Sequence, residues 1–309
     1  MPELPDITVY VEALRERIQG TKLLSLRIRS PFLLRTALPP IDSLAGREVL
    51  EIRRLGKRIV FGFAGDCWLV LHLMVAGRLQ WRARDDGASP RRDAIALFEF
   101  AAGTLGLTEA GTRRRASLHL LAGEAALSDA DRGGLEVAEA TLAEFGERLT
   151  RSNHTLKRAL TDPAAFSGIG NAYSDEVLHR AGLSPVKLSQ SLGVEEIARL
   201  HRSAQAVLSE WTERLRKERG TGFPTHVTAF RPGMAVHGRY GQPCPACGSR
   251  VERIRYAANE TNYCPRCQTQ GRHLANRGLS ALLRKDWPRT PEEWEERKEL
   301  LRGPRGAAR

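Results

Sequence analysis

Four cysteines near the C-terminus have the spacing of metal ligands. Cys244 and Cys247 form one Cys-x-x-Cys pair, Cys264 and Cys267 form another, and the gap between the pairs falls in the range typical of four-cysteine zinc sites. Four thiolates complete a tetrahedral shell and leave no position for a substrate, so we predict one structural Zn²⁺, with an iron or redox role as the alternative. Because the segment is too short for a core of its own, we expect metal binding to supply its folding energy. No organic cofactor is expected.

Basic and polar residues alternate between the two cysteine pairs. The alternation predicts two strands with hydrogen-bond donors on one face. Such a face suits contact with phosphate, and an ordinary solvated ribbon surface is the alternative. The residues concerned are Arg250, Arg253, Arg255, Asn259 and Thr261.

The first residues of the chain can supply a nucleophile. Removal of Met1 would expose Pro2 as a secondary amine. An α-amino group has a pKa of about 8, well below that of a lysine, so a sizeable fraction is neutral and nucleophilic near pH 7. Glu3 would lie beside it as a proton donor or acceptor. Since a proline near the start of a chain is often only the lead-in to a helix, this motif alone leaves both interpretations open.

A third set of residues suits phosphate binding. Gly168 and Gly170 precede Asn171 between two helical stretches, and Lys157 lies upstream. Glycines at a helix N-terminus let backbone amides approach a phosphate. A tight turn between two helices is the alternative, and the Gly-x-Gly spacing alone does not separate the two.

The composition is that of an ordinary folded protein with a basic surface. The 309 residues suggest two domains, with three possible, and a hydrophobic fraction of 41% argues against wholesale disorder. The net charge of +12 favours a polyanionic partner such as nucleic acid. No apolar run is long enough to span a membrane, and the N-terminus lacks a secretory signal pattern, so we expect a cytosolic protein without membrane contact.

The elements that must position these residues fall into two halves. Apolar residues from Ile7 to Ile18 recur at helical spacing, which predicts a helix with Asp6 as its N-cap and Gly20 at its end. Short alternating runs follow and predict an antiparallel β-domain with strands at sandwich-like spacing, interrupted by a polar loop over 85–92. The predicted strands lie within 24–28, 50–52, 59–63 and 68–74.

Helical spacing dominates from about residue 125. The segment Leu135 to Leu149 predicts the entry to this helical half, and the clearest pattern runs from Ile197 to Leu215. After Cys267 the chain continues with a basic amphipathic stretch over 279–285 and two tryptophans, Trp287 and Trp294. We interpret this extension as a solvated basic tail with one packed helix, and contact with DNA or a partner protein is the alternative.

Taken in order, these motifs resemble the formamidopyrimidine-DNA glycosylase/endonuclease VIII family. The resemblance rests on Met1-Pro-Glu-Leu-Pro5, on Gly56-Lys57 after a basic strand, on Gly168-Ile-Gly-Asn-Ala-Tyr-Ser-Asp-Glu176, and on the four-cysteine ribbon. It covers roughly residues 1–270. It implies an α+β multidomain protein with an N-terminal β-sandwich and a leading helix, a helical helix-two-turn-helix domain and a zinc ribbon. The implied bounds are 1–125 for the catalytic sandwich, 126–235 for the helix-two-turn-helix domain, 236–270 for the ribbon and 271–309 for an extension of unknown role.

The resemblance also implies an activity. It implies a base-excision DNA glycosylase with β,δ-lyase activity, which acts on damaged double-stranded DNA as a monomer in the bacterial cytosol or nucleoid. Mature Pro2 would attack the sugar C1′ and form a Schiff base, and Glu3 would supply acid/base help at the sugar ring oxygen. Lys57 would contact the phosphates around the damaged nucleotide and support elimination. Flipping the nucleotide out of the stack would bring its sugar to the amine.

Further residues are implied to bind DNA or support the site. Lys157 and Asn171 would hold phosphates at the helix-two-turn-helix, and Glu176 would stabilise the site around the N-terminal amine. DNA contacts are also expected from Arg113, from Arg255 and from Asn259.

The chain departs from the family's pattern at several of these positions. Asp6 replaces the usual Glu, and Asn259 stands where the ribbon usually carries an Arg, a loss that Arg253 or Arg255 would compensate. Val75 replaces the Met that fills the hole left by the flipped base, with Met74 adjacent. The loop 112–117 has arginines, with Arg113 the best positional match, but no aromatic residue. A weakened wedge puts the usual preference for oxidised purines in doubt and favours lesions that are already poorly stacked.

Two other functions compete with a glycosylase/lyase. A protein that binds DNA damage or abasic sites with weak or no glycosylase activity would keep the fold and the zinc but not need Pro2, Glu3 and Lys57 together. An RNA-binding or translation-linked zinc protein would share the charge and the ribbon, yet it gives no reason for the N-terminal motif. Trapping of a covalent adduct separates the enzyme from both.

Overall fold

The computed structural model describes residues 1–84, 93–256 and 259–274, together with residues 293 and 296. The predicted loop over 85–92 therefore lies outside the described residues, as do Trp287, Trp294 and the amphipathic stretch over 279–285.

The chain divides into two compact units. The first comprises Met1–Ala138, Pro163–Ile169 and Leu208–Ala229, and the second comprises Glu139–Asp162, Gly170–Val207 and the chain from Phe230 onward. The predicted domain boundaries at 125, 235 and 270 stay predictions. Among the described residues, no helix is long and apolar enough to cross a membrane.

The first unit opens with helix α1, Leu4–Ile18. Its N-cap is Glu3, and Asp6 is the third helical residue of a capping box in which the Asp6 carboxylate accepts a 3.0 Å hydrogen bond from the Glu3 N–H. The prediction that Asp6 itself is the N-cap was therefore wrong. Pro5, within the first two helical positions where its missing N–H is no loss, allows the helix to begin before Asp6.

Eight strands then form two antiparallel four-stranded sheets. One sheet has the order β1 (Leu23–Ile28), β6 (Ala94–Phe100), β7 (Gly103–Glu109), β5 (Gly77–Ala83), and the other has the order β2 (Val49–Leu55), β3 (Arg58–Phe63), β4 (Cys67–His72), β8 (Ser117–Ala122). A short 3-10 helix, Ile41–Leu44, precedes β2.

Apolar side chains from both sheets and from α1 share one core. Ile7, Phe61 and Phe98 are among its fully buried members. This shared core confirms the predicted β-sandwich with a leading helix. The predicted strand over 68–74 ends at His72, because Met74 adopts a left-handed backbone (φ 52°) in the turn that follows.

Helix α2, Glu124–Ala130, covers the other face of the second sheet. Leu127 packs there in a small cluster with Val60 and Val70.

The second unit is helical and carries a zinc ribbon. Its helices are α3 (Leu142–Thr150), α4 (Leu156–Thr161), α5 (Asn171–Ala181) and the first part of α6 (Val194–Arg219), with a 3-10 helix at Ser189–Ser191. The ribbon contains β9 (Glu252–Tyr256), β10 (Asn259–Tyr263) and α7 (Pro265–Thr269).

The predicted helical entry over 135–149 is helical only from Leu142 onward. Thr141 caps α3 in a capping box with Glu144, whereas Leu135 forms a parallel bridge with Phe166. A side-chain oxygen at the N-cap fixes the helix start at this point of the apolar pattern. Beyond residue 207, α6 belongs to the first unit, where Arg216 and Arg219 form ion pairs with Glu12 and Glu16 of α1.

Candidate active site and zinc ribbon

The N-terminus lies at a cavity of about 930 Å³ within the first unit. Met1 and Lys57 both line this cavity. Burial lowers the pKa of the Met1 amine below its ordinary value; Glu3 opposes this effect, and the positive charges of Arg78 and Lys57 add to it. Pro2 is buried next to Met1, so an amine exposed by removal of Met1 would lie in the same environment.

Glu3 is held at the start of α1 with almost no solvent exposure. Glu3 is 2% exposed and Asp6 is 3% exposed. Because the Asp6 carboxylate accepts from the Glu3 N–H, Asp6 fixes the backbone that carries Glu3. The capping box thus provides a physical reason for an acidic residue at position 6.

Lys57 lies in the turn between β2 and β3, where Gly56 has a positive φ of 61°. The preceding Arg54 braces this turn: it donates to the Gly56 carbonyl at 2.9 Å and to the Ser167 hydroxyl at 3.1 Å, and it forms an ion pair with Glu136. The Ser167 hydroxyl donates in turn to Glu136. Sequence reasoning missed these three residues, since nothing local to any of them indicates the other two.

Gly168 brings a second segment against the start of α1. Its carbonyl accepts a 2.9 Å hydrogen bond from the Leu4 N–H, and its φ is 77°. A Cβ at this position would lie 2.7 Å from the Leu4 Cβ. Positive φ and close approach both require glycine here. The first glycine of the Gly-x-Gly motif is therefore needed so that this segment can pack closely against Leu4 at the start of α1.

The turn after β4 carries the residues predicted to fill the hole in the DNA stack. Met74 lines the cavity, whereas Val75 is 59% exposed. Arg78 donates to the carbonyls of Val75 and Gly77, at 3.1 and 2.7 Å, and so holds the turn closed. Sequence reasoning missed Arg78.

Arg113 lies in the exposed loop between β7 and β8. The Glu109 carboxylate accepts hydrogen bonds from the backbone N–H groups of Arg115 and Ala116, which fixes the end of the loop. Glu109 is 7% exposed and was not anticipated. The roles predicted for Met74, Val75 and Arg113 toward DNA stay predictions.

Lys157 on α4 forms an ion pair with Asp175 on α5, whose side chain is fully buried. It also donates to the Asn171 carbonyl at 2.6 Å. Asp175 accepts further hydrogen bonds from His237 Nδ1 at 2.8 Å and from the Asn262 N–H at 3.1 Å. The Lys157 ammonium group is thus engaged inside the unit, and its predicted phosphate contact stays a prediction.

Asn171 begins α5 and contacts the ribbon. Its side-chain Nδ2 donates to the Glu260 carbonyl at 2.8 Å. This contact joins the helix-two-turn-helix to β10. The contact fixes the orientation of the Asn171 amide. Among residues 1–84, 93–256 and 259–274 the amide oxygen has no hydrogen-bond partner, so it can accept a hydrogen bond.

Glu176 holds the segment that leads into the ribbon. Its carboxylate accepts from the N–H groups of Ala235, Val236 and His237, at 2.7, 2.9 and 2.9 Å. Burial raises the pKa of the Glu176 carboxyl above its usual value, and these three donors oppose that shift. These contacts of Glu176 all lie in the second unit. The predicted role of Glu176 in stabilising the site around the N-terminal amine stays a prediction.

The four cysteines converge as predicted. All four Sγ atoms lie within 4.8 Å of one another, with Cys247 and Cys264 at 3.4 Å and Cys244 and Cys267 at 3.9 Å. Four thiol ligands at these distances suit tetrahedral zinc and leave no open position, so the ribbon is the site of one structural Zn²⁺.

The hairpin between the cysteine pairs has two distinct faces. Ile254 pairs with Thr261, and both are buried. Arg253 and Arg255 share the other face with Glu260, which forms ion pairs with both, at 3.0 and 3.6 Å.

The two arginines differ in how firmly they are engaged. Arg253 also lies 4.0 Å from the ring centroid of Tyr240, whereas the Arg255 side chain is 61% exposed. Asn259 pairs with Tyr256 through the backbone, and its side chain lies outside the described residues. That Arg253 or Arg255 replaces the phosphate contact of the arginine usually found at position 259 stays a prediction.

Three family profiles match the chain. The formamidopyrimidine-DNA glycosylase N-terminal domain matches residues 1–118, the formamidopyrimidine-DNA glycosylase H2TH domain matches 135–220, and the zinc finger found in FPG and IleRS matches 241–270.

Two bacterial relatives align with this chain over their whole length. A formamidopyrimidine-DNA glycosylase of Heliobacterium modesticaldum is 33% identical over 282 residues, which cover 87% of this chain and 100% of the relative. A formamidopyrimidine-DNA glycosylase of Thermus thermophilus is 34% identical over 280 residues, covering 88% and 100%.

Solved structures give the same result. The Lactococcus lactis Fpg in complex with DNA containing an abasic site superimposes with a TM-score of 0.76 at 26% identity, over 86% of this chain and 99% of that one. MutM in complex with DNA containing carbocyclic 8-oxo-G superimposes with a TM-score of 0.75 at 27% identity, over 87% and 100%. The chain therefore belongs to the formamidopyrimidine-DNA glycosylase family, the DNA glycosylases of base-excision repair.

Proposed function

We propose that this protein is a bifunctional DNA glycosylase and AP lyase that processes oxidised bases or abasic sites in duplex DNA. The observation that carries the proposal is the cavity shared by the N-terminal residue and Lys57, at which burial lowers the pKa of the terminal amine. A lowered pKa increases the neutral, nucleophilic fraction of an amine near pH 7. The net charge of +12 and the DNA-bound relatives support duplex DNA as the substrate. The bacterial sources of the relatives support the bacterial cytosol as the place of action.

The proposed reaction begins with the Pro2 amine after removal of Met1. Its lone pair bonds to the sugar C1′, and the damaged base leaves with the electrons of the glycosidic bond and takes a proton from water. The amine nitrogen gives up its own proton to Glu3, which is buried beside it, and the nitrogen lone pair then forms the iminium as the C1′–O4′ bond opens. Glu3 passes the proton that it received to O4′. Loss of a proton from C2′ then expels the 3′ phosphate, and a second elimination expels the 5′ phosphate. Lys57 stabilises the phosphate charge during these steps.

Borohydride trapping tests the proposal. Purified protein is incubated in the presence of borohydride with duplexes that carry an abasic site, 8-oxoguanine, an oxidised pyrimidine or no lesion. The amount of reduced covalent adduct is then quantified on a denaturing gel. We expect an adduct on lesion duplexes that is strongly reduced in Pro2→Gly, which replaces the secondary ring amine by a primary amine. Pro5→Ala is the matched control, since it changes the other proline of the same motif and leaves the N-terminal amine as it is, and it should keep the adduct.

The ranking of duplexes in this experiment identifies the lesion class. Intact mass spectrometry must show loss of Met1, because Pro2 is an amide until then. No adduct on any duplex, with Met1 absent and zinc bound, would refute the lyase and favour a protein that only binds damaged DNA. Wild-type adduct yields in Pro2→Gly would refute the assignment of the nucleophile.

A further inference from the structure

One face of helix α5 carries three polar side chains that contact the zinc ribbon. Asn171, Asp175 and His179 are spaced four residues apart, so they lie in a row along one side of the helix. Asn171 contacts the Glu260 carbonyl and Asp175 contacts the Asn262 N–H, both in β10. His179 stands at the C-terminal end of this row and reaches the cysteine cluster instead.

His179 contacts a zinc ligand directly. Its Nε2 lies 3.2 Å from the Sγ of Cys244, although the two residues are 65 positions apart in the sequence. Cys244 is 2% exposed and His179 is half-buried, so water has little access to this sulfur. The contact therefore persists without much competition from solvent.

The direction of this hydrogen bond follows from the chemistry of the metal site. Zinc binds cysteine as the thiolate, which has no proton to donate. The sulfur of Cys244 must therefore accept, and the His179 nitrogen that faces it must carry a hydrogen. Zn²⁺ with four thiolates keeps a net negative charge, which strengthens a hydrogen bond to any of the sulfurs.

Two other thiols of the cluster have donors from their own loops. Cys247 accepts from the hydroxyl and the N–H of Ser249, and Cys264 accepts from the Cys267 N–H at 3.5 Å. Cys244 differs from both, because its donor is a side chain of a helix outside the ribbon. His179 thus links the metal cluster to α5.

The ribbon has little apolar packing of its own to hold it in place. Its buried apolar cluster contains Val236, Val251, Cys244 and Cys264. Two of these residues are zinc ligands, so the metal and the packing of the ribbon depend on each other. A contact that fixes Cys244 acts on both.

We propose that His179 is a positioning residue of the zinc centre, whose Nε2–H donates to the Cys244 thiolate and holds the ribbon on α5. The effect is reciprocal, because a contact that stabilises bound zinc is itself stabilised by zinc to the same extent. Asn171, for which the family resemblance implies a phosphate contact, begins the same helix. Zinc and a DNA-binding residue are thereby joined through α5. The inference depends on the zinc site and not on the lyase activity.

Zinc affinity of the full-length protein tests the contact. The Kd for zinc is measured by competition with a chromophoric chelator in the wild type, His179→Phe and His179→Gln. Phenylalanine keeps a ring but has no donor, whereas the glutamine amide can donate from a similar position. We expect His179→Phe to bind zinc about 10- to 100-fold more weakly, and His179→Gln to recover most of the affinity.

A second histidine of the same unit provides the matched control. His154 is half-buried and lies outside the cysteine cluster. His154→Phe makes the same chemical change as His179→Phe, and it should bind zinc like the wild type. Equal losses in the two variants would show a general effect on the fold and would overturn the proposal.

The spectrum of the cobalt-substituted protein separates a hydrogen bond from packing. A donor lowers the energy of the sulfur lone pairs, so charge transfer from thiolate to Co²⁺ requires more energy when the hydrogen bond is present. The charge-transfer bands of His179→Phe should move to longer wavelength, and those of His179→Gln and His154→Phe should stay near the wild-type positions. Weaker metal binding with unchanged bands would mean packing alone and would overturn the hydrogen bond.

The tautomer of His179 in the zinc-bound wild type is a test that needs no variant. The ¹⁵N chemical shifts of the ring nitrogens distinguish a protonated Nε2 from an unprotonated one. We expect a hydrogen on Nε2, and an unprotonated Nε2 would overturn the proposal. This measurement keeps the test decisive if His179→Phe fails to fold.

Discussion

His72 should make the stability of the protein depend on pH. The imidazole ends β4 between Arg58 and Ser117 and faces the cavity. Its pKa is lowered from 6.5 to about 4, first by burial and then by the charges of Arg58, Lys57 and His119. At pH 7 the ring is therefore neutral in the folded protein.

The sign of the effect follows from proton binding. Between pH 6.5 and 4 the unfolded chain holds a proton on His72 that the folded protein lacks, so the free energy of unfolding falls as the pH falls through this window. With one pKa unit equal to about 1.4 kcal/mol, the loss reaches about 2 kcal/mol at pH 5 and about 3 kcal/mol near pH 4. Other groups titrate below pH 5, so the difference between variants isolates this contribution.

His72→Gln removes the titration and keeps a polar side chain of similar size. Urea unfolding of the zinc-bound protein at pH 7.5 and pH 5, followed by tryptophan fluorescence, gives the two free energies. We expect the wild type to lose about 2 kcal/mol more than His72→Gln between these values. Ser117→Ala, the cross-strand neighbour without a titratable group, should keep the wild-type loss. An identical pH dependence in wild type and His72→Gln would show that the cavity does not suppress protonation of this imidazole.

Three further predictions concern the framework around the site. Cys244→Ala should lose zinc, as measured by metal analysis, and it should weaken DNA binding more than it changes the reactivity of the N-terminal amine. Cys67→Ala, which lies outside the cluster, should keep zinc. Full zinc content in Cys244→Ala would contradict this prediction. Glu176→Gln should lower the free energy of unfolding by about 1–3 kcal/mol, because an amide cannot accept from all three backbone donors; an unchanged urea midpoint would contradict it. Arg219→Gln should cost only about 0.5 kcal/mol, since its partner Glu16 is exposed and solvent screens the pair. Because Arg219 lowers the pKa of Glu16, this difference should be present above the ordinary pKa of Glu16 and be lost as the pH falls through the lowered pKa of the folded protein; a difference that does not shrink on acidification would argue against the ion pair.

The zinc ligands could be predicted from sequence because their chemistry is local. Two Cys-x-x-Cys pairs at a standard spacing specify both the ligands and the metal, and the Sγ atoms converge accordingly. The β-sandwich was predictable for a similar reason, since alternation within each strand is a property of a few adjacent residues. The strand ends were less predictable, and the left-handed Met74 that closes β4 has no signature in the apolar pattern.

The start of α1 shows where local rules mislead. Asp is a common N-cap and Glu is not, so the sequence favours Asp6 over Glu3. The structure uses Asp6 as the third helical residue, which accepts from the Glu3 N–H. The helix therefore begins early enough to bury Glu3 next to the terminal amine.

The brace around Lys57 depends on the tertiary fold. Arg54, Glu136 and Ser167 meet only because the 163–169 segment returns to the first unit. Single-sequence patterns describe neighbours along the chain, whereas this network joins residues from three distant segments. The same return places Gly168 against Leu4, which explains the glycine by packing as well as by turn geometry.

The set of polar side chains on the face of the second sheet beside the cavity follows from strand register, which the sequence leaves open. Arg58, His72 and Ser117 are unremarkable in their own segments, and a shift of one residue in either pairing would turn one of them to the opposite face. The buried apolar residues that alternate with them fix the register, because Ile59, Leu71 and Leu118 occupy the sandwich core. Packing of the core therefore selects which polar side chains face the cavity. A substitution that shifts β3 against β4 should therefore remove the low pKa of His72.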